Sequence, residues 1–246
     1  MKKLLLLIPY VLLMACSTDN STLPNGNAKG DGVGGSLARF TLAGDYLYTV
    51  DEQSLRIFDI SNRDKPEFVN EKHIGFDIET LYSLGENLFV GSRLGMYIYD
   101  ISDPRFPLQL SKVEHVRSCD PVVSDGSFAY VTLHTNVSCE GNVNQLEIYN
   151  VANPMAPQLL NIINMDRPIG LGLYGDNLLV TDQGVVRVFD VTDPAMPDLI
   201  GGIPVDGFDV IIKQDHLYVI GSEALYQYTL NADNAAEYEN LSTFIF

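Results

Sequence analysis

Three carboxylates, Glu79, Asp120 and Asp209, each stand at the start of a run rich in β-forming residues, with Asp77 and Asp206 close by in sequence. Carboxylates gathered around one opening could ligate a cation through oxygen. They could also act on a glycoside as an acid and nucleophile pair. No spacing among them singles out an acid and a nucleophile. A second set of reactive residue types, His134 and Glu140, lies between Cys119 and Asn144. The four histidines, His73, His115, His134 and His216, show no metal spacing. The chain has no Gly-x-Ser-x-Gly, His-Glu-x-x-His, Walker-type or Cys-x-x-Cys motif and no Asp-x-Asp-x-Asp calcium loop. It has no Trp, the best sugar-stacking side chain, although 13 Tyr remain. No catalytic residue, resident metal or cofactor is read from these patterns.

The elements that must position such residues are set by a repeat. Gly-Asp-Tyr-Leu-Tyr-Thr-Val at 44–50 is followed by Leu-Arg-Ile-Phe-Asp-Ile-Ser at 55–61. The pair recurs from residues 85, 126, 175 and 214, at intervals of 41, 41, 49 and 39. The long interval holds an insertion of roughly eight residues. A period of about 40 residues built from short β-type runs marks a propeller. In the second copy four strands are predicted at about 79–84, 87–92, 95–101 and 107–114. The third run is apolar on both faces, as at Ile98 and Tyr99, which fits a blade packed between two others. A turn of the form Ser102-Asp103-Pro104-Arg105-Phe106-Pro107 follows it and recurs at 152–157 and 192–197. Its Asp and Pro stop one strand and redirect the chain. The fold class is therefore all-β, a propeller of five four-stranded blades. The expected organisation is a signal peptide at 1–15, a lipidated Cys and flexible linker at 16–36, and the propeller at 37–246. Residues 241–246 should supply the outer strand of the last blade. The Gly-rich segment before residue 37 is unsuited to donating a strand, so the ring is expected to close by packing of blade one on blade five.

The motifs Leu-Tyr-Thr-Val at 47–50, Phe-Asp-Ile-Ser at 58–61, Tyr-Asp-Ile-Ser-Asp-Pro at 99–104 and Phe-Asp-Val-Thr-Asp-Pro at 189–194 resemble the LVIVD-repeat family of bacterial β-propeller lipoproteins. The resemblance runs over nearly all of the chain after residue 37. It implies the fold and an address in the cell envelope, and it implies no particular activity.

Met-Lys-Lys, then the apolar run Leu4 to Met14, reads as a secretory signal too short to span a membrane. Leu13-Met14-Ala15-Cys16 resembles a bacterial lipobox, which implies cleavage before Cys16 and lipidation of its thiol. Residues 17–36 are polar and Gly-rich, the composition of a tether. The expected location is the bacterial cell envelope, on the outer membrane, held by the lipid anchor alone. With Cys16 lipidated, Cys119 and Cys139 remain as an even pair in an exported chain, and a disulfide between them is expected. The formal charge is −17, and loss of Lys2 and Lys3 with the signal makes it more negative still. That excludes the basic footprint that nucleic acid or an anionic membrane surface requires.

In a repeat protein, what recurs is scaffold and what breaks the repeat is where function can sit. Asp59, Asp100, Asn150 and Asp190 recur at one position just ahead of the turn, where they could form a ring of metal ligands or, as their symmetry favours, cap the turn with a side-chain oxygen. The repeat is broken by the insertion at 133–144, with His134 and Glu140, and at the start of each innermost strand. There the matched residues are Arg39, Thr80, Asp120, Gly170 and Asp209. The reading is a lipid-anchored extracytoplasmic binding or scaffolding module whose partner is an envelope protein or a glycan. Two alternatives stand beside it. One is a glycoside-active enzyme using Asp120, Asp209 and Glu79 at the channel rim. The other is a purely structural envelope protein.

Overall fold

A computed structural model describes residues 35–115, 118, 121–135 and 143–246. It forms five four-stranded antiparallel sheets, each built in chain order from its innermost to its outermost strand. Blade one holds β1 (Phe40–Ala43), β2 (Tyr46–Val50), β3 (Ser54–Asp59) and β4 (Glu67–His73). Blade two holds β5 (Ile78–Leu84), β6 (Asn87–Ser92), β7 (Gly95–Asp100) and β8 (Leu108–Glu114). Blade three holds β9 (Val122–Ser124), β10 (Phe128–Leu133), β11 (Gln145–Asn150) and β12 (Gln158–Asn164). Blade four holds β13 (Pro168–Tyr174), β14 (Asn177–Asp182), β15 (Val185–Asp190) and β16 (Asp198–Ile203). Blade five holds β17 (Asp209–Lys213), β18 (His216–Ile220), β19 (Ala224–Leu230) and β20 (Tyr238–Ile245).

Local chemistry explains the repeat. The hairpin between the first two strands turns at Gly44, Gly85 and Gly175, whose φ angles are +56°, +58° and +56°. That left-handed value at the first central position is what a glycine there permits. Blade five places Gln214 in the same conformation, at φ +57°. Every blade carries a register shift between its third and fourth strands, after Ile57, Ile98, Ile148, Val188 and Gln227. A bulge at a fixed place bends the strand and adds twist there in every blade. Asp59, Asp100, Asn150 and Asp190 accept the backbone N–H two residues on, at 2.7 to 3.0 Å. They close the turn, as the sequence suggested.

The core lies between blades. One apolar cluster joins blades one and two through Tyr48, Leu55 and Ile57 against Leu88, Val90 and Tyr99. Equivalent clusters join blades two and three, three and four, and four and five. Blades five and one depart from the expected packing. The innermost strands β1 and β17 do not pack as the other consecutive innermost strands do, and no core cluster of the described residues joins the two blades. The link between them is polar: residues 35–37, which are in no strand, reach the start of β17.

Candidate functional site at the channel rim

The starts of the innermost strands converge where the chain from residue 35 to Arg39 enters the propeller. The Leu81 N–H donates to the Ala38 carbonyl at 2.8 Å, and Arg39 Nη2 donates to the Ile78 carbonyl at 3.2 Å. On the other side Ser36 Oγ donates to Asp209 Oδ1 at 3.2 Å and accepts the Leu171 N–H at 2.8 Å. Three residues of chain thus tie blades four and five to blades one and two.

Asp209 is buried at 7% exposure. Its carboxylate accepts the Val210 N–H at 2.9 Å, the Ser36 hydroxyl, and the backbone N–H groups of Ser36 and Leu37. Burial raises its pKa to about 6, against the pull of those four donors. A Cβ at residue 35 would stand 2.0 Å from Asp209 Oδ2, so Gly35 is what lets the segment lie on the carboxylate. Gly170 does the same from blade four: a Cβ there would meet Asp209 Cα at 2.5 Å and the Phe208 carbonyl at 2.7 Å. Asp209 is thus a latch for the N-terminal segment, with its oxygens covered.

Glu79 is paired. Arg93 Nε donates to Glu79 Oε1 at 2.8 Å, and Arg93 Nη1 lies 3.8 Å from Asp77 Oδ1. Asp77 takes a left-handed φ of +57°, and its carbonyl accepts the Arg93 N–H at 3.1 Å. The guanidinium therefore joins the two acids into one ion-pair set at the rim of blade two. Glu79 and Asp209 are each held by their own structural partners.

His134 closes β10 and is buried at 5% exposure, with its carbonyl accepting the Ser118 hydroxyl at 2.8 Å. Burial, with Arg167 nearby, lowers its pKa to about 4, so the ring is neutral at pH 7. Its Nδ1 is buried without a hydrogen-bond partner. Cys16, Cys119, Asp120, Cys139 and Glu140 lie outside the described residues. Among the described residues no three or more His, Cys, Asp or Glu side chains come together as a metal site.

Two features were not read from the sequence. The first is Asp182, whose side chain is fully buried at the end of β14. It accepts Arg187 Nε and the Arg167 N–H, both at 2.5 Å, and Arg187 also reaches Asp166 at 2.8 Å. The second is an open cavity of about 550 Å³ lined by Arg39, Val50, Asp51, Glu52, Gln53 and Ser54. Asp51 is fixed there by the Gln53 and Ser54 N–H groups and by Arg56 at 2.8 Å, which hold its carboxyl below the usual carboxylate range. A cavity presenting Arg39 beside two acids can hold a polar ligand by hydrogen bonds and opposite charge.

Residues 34–71 match the family model described as LVIVD repeat. No curated protein matches the chain in sequence. Among solved structures, the fold is similar to that of a protein from Lactobacillus plantarum, with a TM-score of 0.67 at 15% identity over 82% of this chain and 68% of that one. It is also similar to the periplasmic gluconolactonase PpgL of Pseudomonas aeruginosa, with a TM-score of 0.63 at 15% identity over the same shares. BamB from Moraxella catarrhalis superposes with a TM-score of 0.52 at 12% identity, over 84% of this chain and 56% of its own. At such identities the likeness is one of fold. The chain carries an LVIVD repeat on a β-propeller.

Proposed function

We propose that this protein is a lipid-anchored, extracytoplasmic binding or scaffolding module whose rigid propeller presents its channel rim to an envelope protein or a glycan. The observation that carries the reading is the engagement of the rim acids Glu79 and Asp209, the third rim acid, Asp120, lying outside the described residues. Glu79 is neutralised by Arg93, and Asp209 is covered by residues 35–37. A glycoside-active site needs two carboxyl groups facing one bond, one of them ionised and accessible. Among the described residues, the rim offers instead the open cavity at Arg39 and Glu52, on a fixed frame. Anchoring through Cys16 and the polar run 17–34 would hold this surface off the bilayer.

A glycoside-active reading draws support from Asp209, since a carboxyl with a pKa near 6 is suited to proton transfer. It is the weaker reading because Ser36 and Leu37 stand over the carboxylate. The test is cross-linking of the full-length protein in native membranes, followed by co-purification in mild detergent, for wild type and for Arg39→Glu. A stoichiometric envelope protein, or a retained glycan, that is lost in the variant supports the binding module. Turnover of a glycoside panel that survives Arg39→Glu and disappears in Asp209→Asn overturns it.

A further inference from the structure

The four internal blade interfaces share one pattern of positions, and the seam between blades five and one breaks it on both sides. Phe40 is 59% exposed, whereas Leu81, Val122, Leu171 and Val210 at the same repeat position are 2%, 0%, 1% and 1% exposed. Leu47, Thr49, Phe58 and Ile60 of blade one are half-buried where Leu88, Val90, Tyr99 and Ile101 of blade two are buried. Across the seam, Tyr218, Leu225 and Gln227 are half-buried where Tyr48, Leu55 and Ile57 are fully buried. The outer strand β20 is exposed along its whole length, including Phe244 at 66% and Ile245 at 74%. The sequence differs here in the matching sense. Thr49 stands where the other blades have Val90, Val131, Val180 and Val219, and Gln227 stands where they have Ile57, Ile98, Ile148 and Val188. Large apolar side chains with polar residues set among them are the composition of an interface that forms and separates.

We infer that this seam binds a second copy of the same chain, blade five of one copy packing head-to-tail on blade one of the next. The repeat supplies the complementarity. Tyr218 and Leu225 occupy the positions that face the next blade at all four internal interfaces. Phe40, Leu47, Phe58 and Ile60 occupy the positions that receive them. One copy therefore presents both halves of a blade interface, and each half meets its counterpart on another copy. Residues 17–34 are a poor occupant, since they are mostly Ser, Thr, Asn, Asp and Gly. A contact of this kind is heterologous, so it extends into a series or closes a ring. At a net charge of −17 the copies repel, so association strengthens with added salt. The inference is independent of what the rim binds.

The test is sedimentation velocity of the full-length protein in detergent, over about a hundredfold range of concentration at low and high salt. Wild type is expected to form a concentration-dependent series, favoured by salt. Phe40→Asp spoils one face and Leu225→Asp the other, so each variant alone should stay monomeric, with association weakened at least about tenfold. Mixed together, the two should form a dimer that grows no further, because each keeps the face the other lacks. Phe40 and Leu225 are not fully buried, and thermal melts check that both variants fold. A second arm places Cys at Thr49 and at Gln227 in separate copies, where the inference expects a 49–227 cross-link between chains. The inference is overturned if wild type is monomeric throughout, or if the mixed variants do not pair. It is equally overturned if a chain carrying both cysteines links only to itself, which would mean that the ring closes on its own seam.

Discussion

Replacing Asp209 with Asn should remove a defined pH dependence from folding. The carboxylate is 7% exposed, and its pKa moves from 3.8 to about 6, with burial as the largest cause. At about 1.36 kcal/mol for each pH unit, the shift corresponds to about 3 kcal/mol. The folded state holds the proton more tightly than the unfolded chain. The stabilisation is therefore fully present below pH 3.8 and is lost as pH rises through about 6. Between pH 4 and pH 7 wild type should lose about 2.5 kcal/mol that Asp209→Asn does not lose. Asp51, Asp59, Asp100, Asp103 and Asp190 have lowered pKa values and act in the opposite direction, but they are common to both proteins and cancel in the difference. Asn keeps an acceptor for the Ser36 and Leu37 N–H groups, so its own offset is independent of pH. Urea unfolding at pH 4, 5, 6 and 7 reads the effect. With a slope of about 2 kcal/mol per molar, the gap between the two midpoints should change by roughly 1 M across that window. A gap that stays constant refutes the burial of Asp209 beneath residues 35–37.

Three further outcomes are expected. Gly170→Ala drives a methyl into Asp209 Cα and the Phe208 carbonyl and should cost about 1–3 kcal/mol, a fall in Tm of several degrees in calorimetry. His134, with a pKa lowered to about 4, should show no imidazole titration by NMR between pH 5 and 7.5, and stability should fall as pH drops from about 6.5 toward 4, a dependence absent in His134→Gln. Asp100→Asn should leave Tm within about 1 °C of wild type, because Asn150 closes the same turn with a carbonyl oxygen in blade three, whereas Asp100→Ala should lower it.

The blades were legible because their signals are local and repeated. A pitch near 40 residues repeats over five copies, and a glycine at the hairpin and an Asp or Asn ahead of the turn, each acting within a few residues, recur in four of them. The capping role of Asp59, Asp100, Asn150 and Asp190 followed from the same locality. The rim was only half legible. Its acids could be placed on the innermost strands, but their partners could not. Ser36 and Asp209 are 173 positions apart in sequence, and Ser36 lies in a stretch whose composition reads as tether. Arg93 could be aligned with its blade, yet nothing in its spacing from Glu79 announces an ion pair across the end of a hairpin. Asp182 carries no local signal of its role, because burial is a property of the assembled blades and not of its neighbours in sequence.

The seam shows how far a repeat can be read once its register is known. The rule that function hides where the repeat breaks directs attention to insertions and to strand starts, since those are visible as gaps in an alignment of the five copies. Thr49 and Gln227 leave no gap. Each is a β-compatible residue at a position where four siblings carry Val or Ile, and single substitutions of that size are ordinary variation in a strand. They acquire meaning together, because the strand register places both on the faces that the four internal interfaces bury, and they belong to the two blades that no core cluster of the described residues joins. A polar residue at one such position would cost stability in a permanently buried interface, through a hydroxyl or amide removed from water without a partner. At a face that meets solvent between encounters, the same residue keeps the chain soluble while Phe40, Phe58, Tyr218 and Leu225 retain the apolar surface that a matching blade would cover.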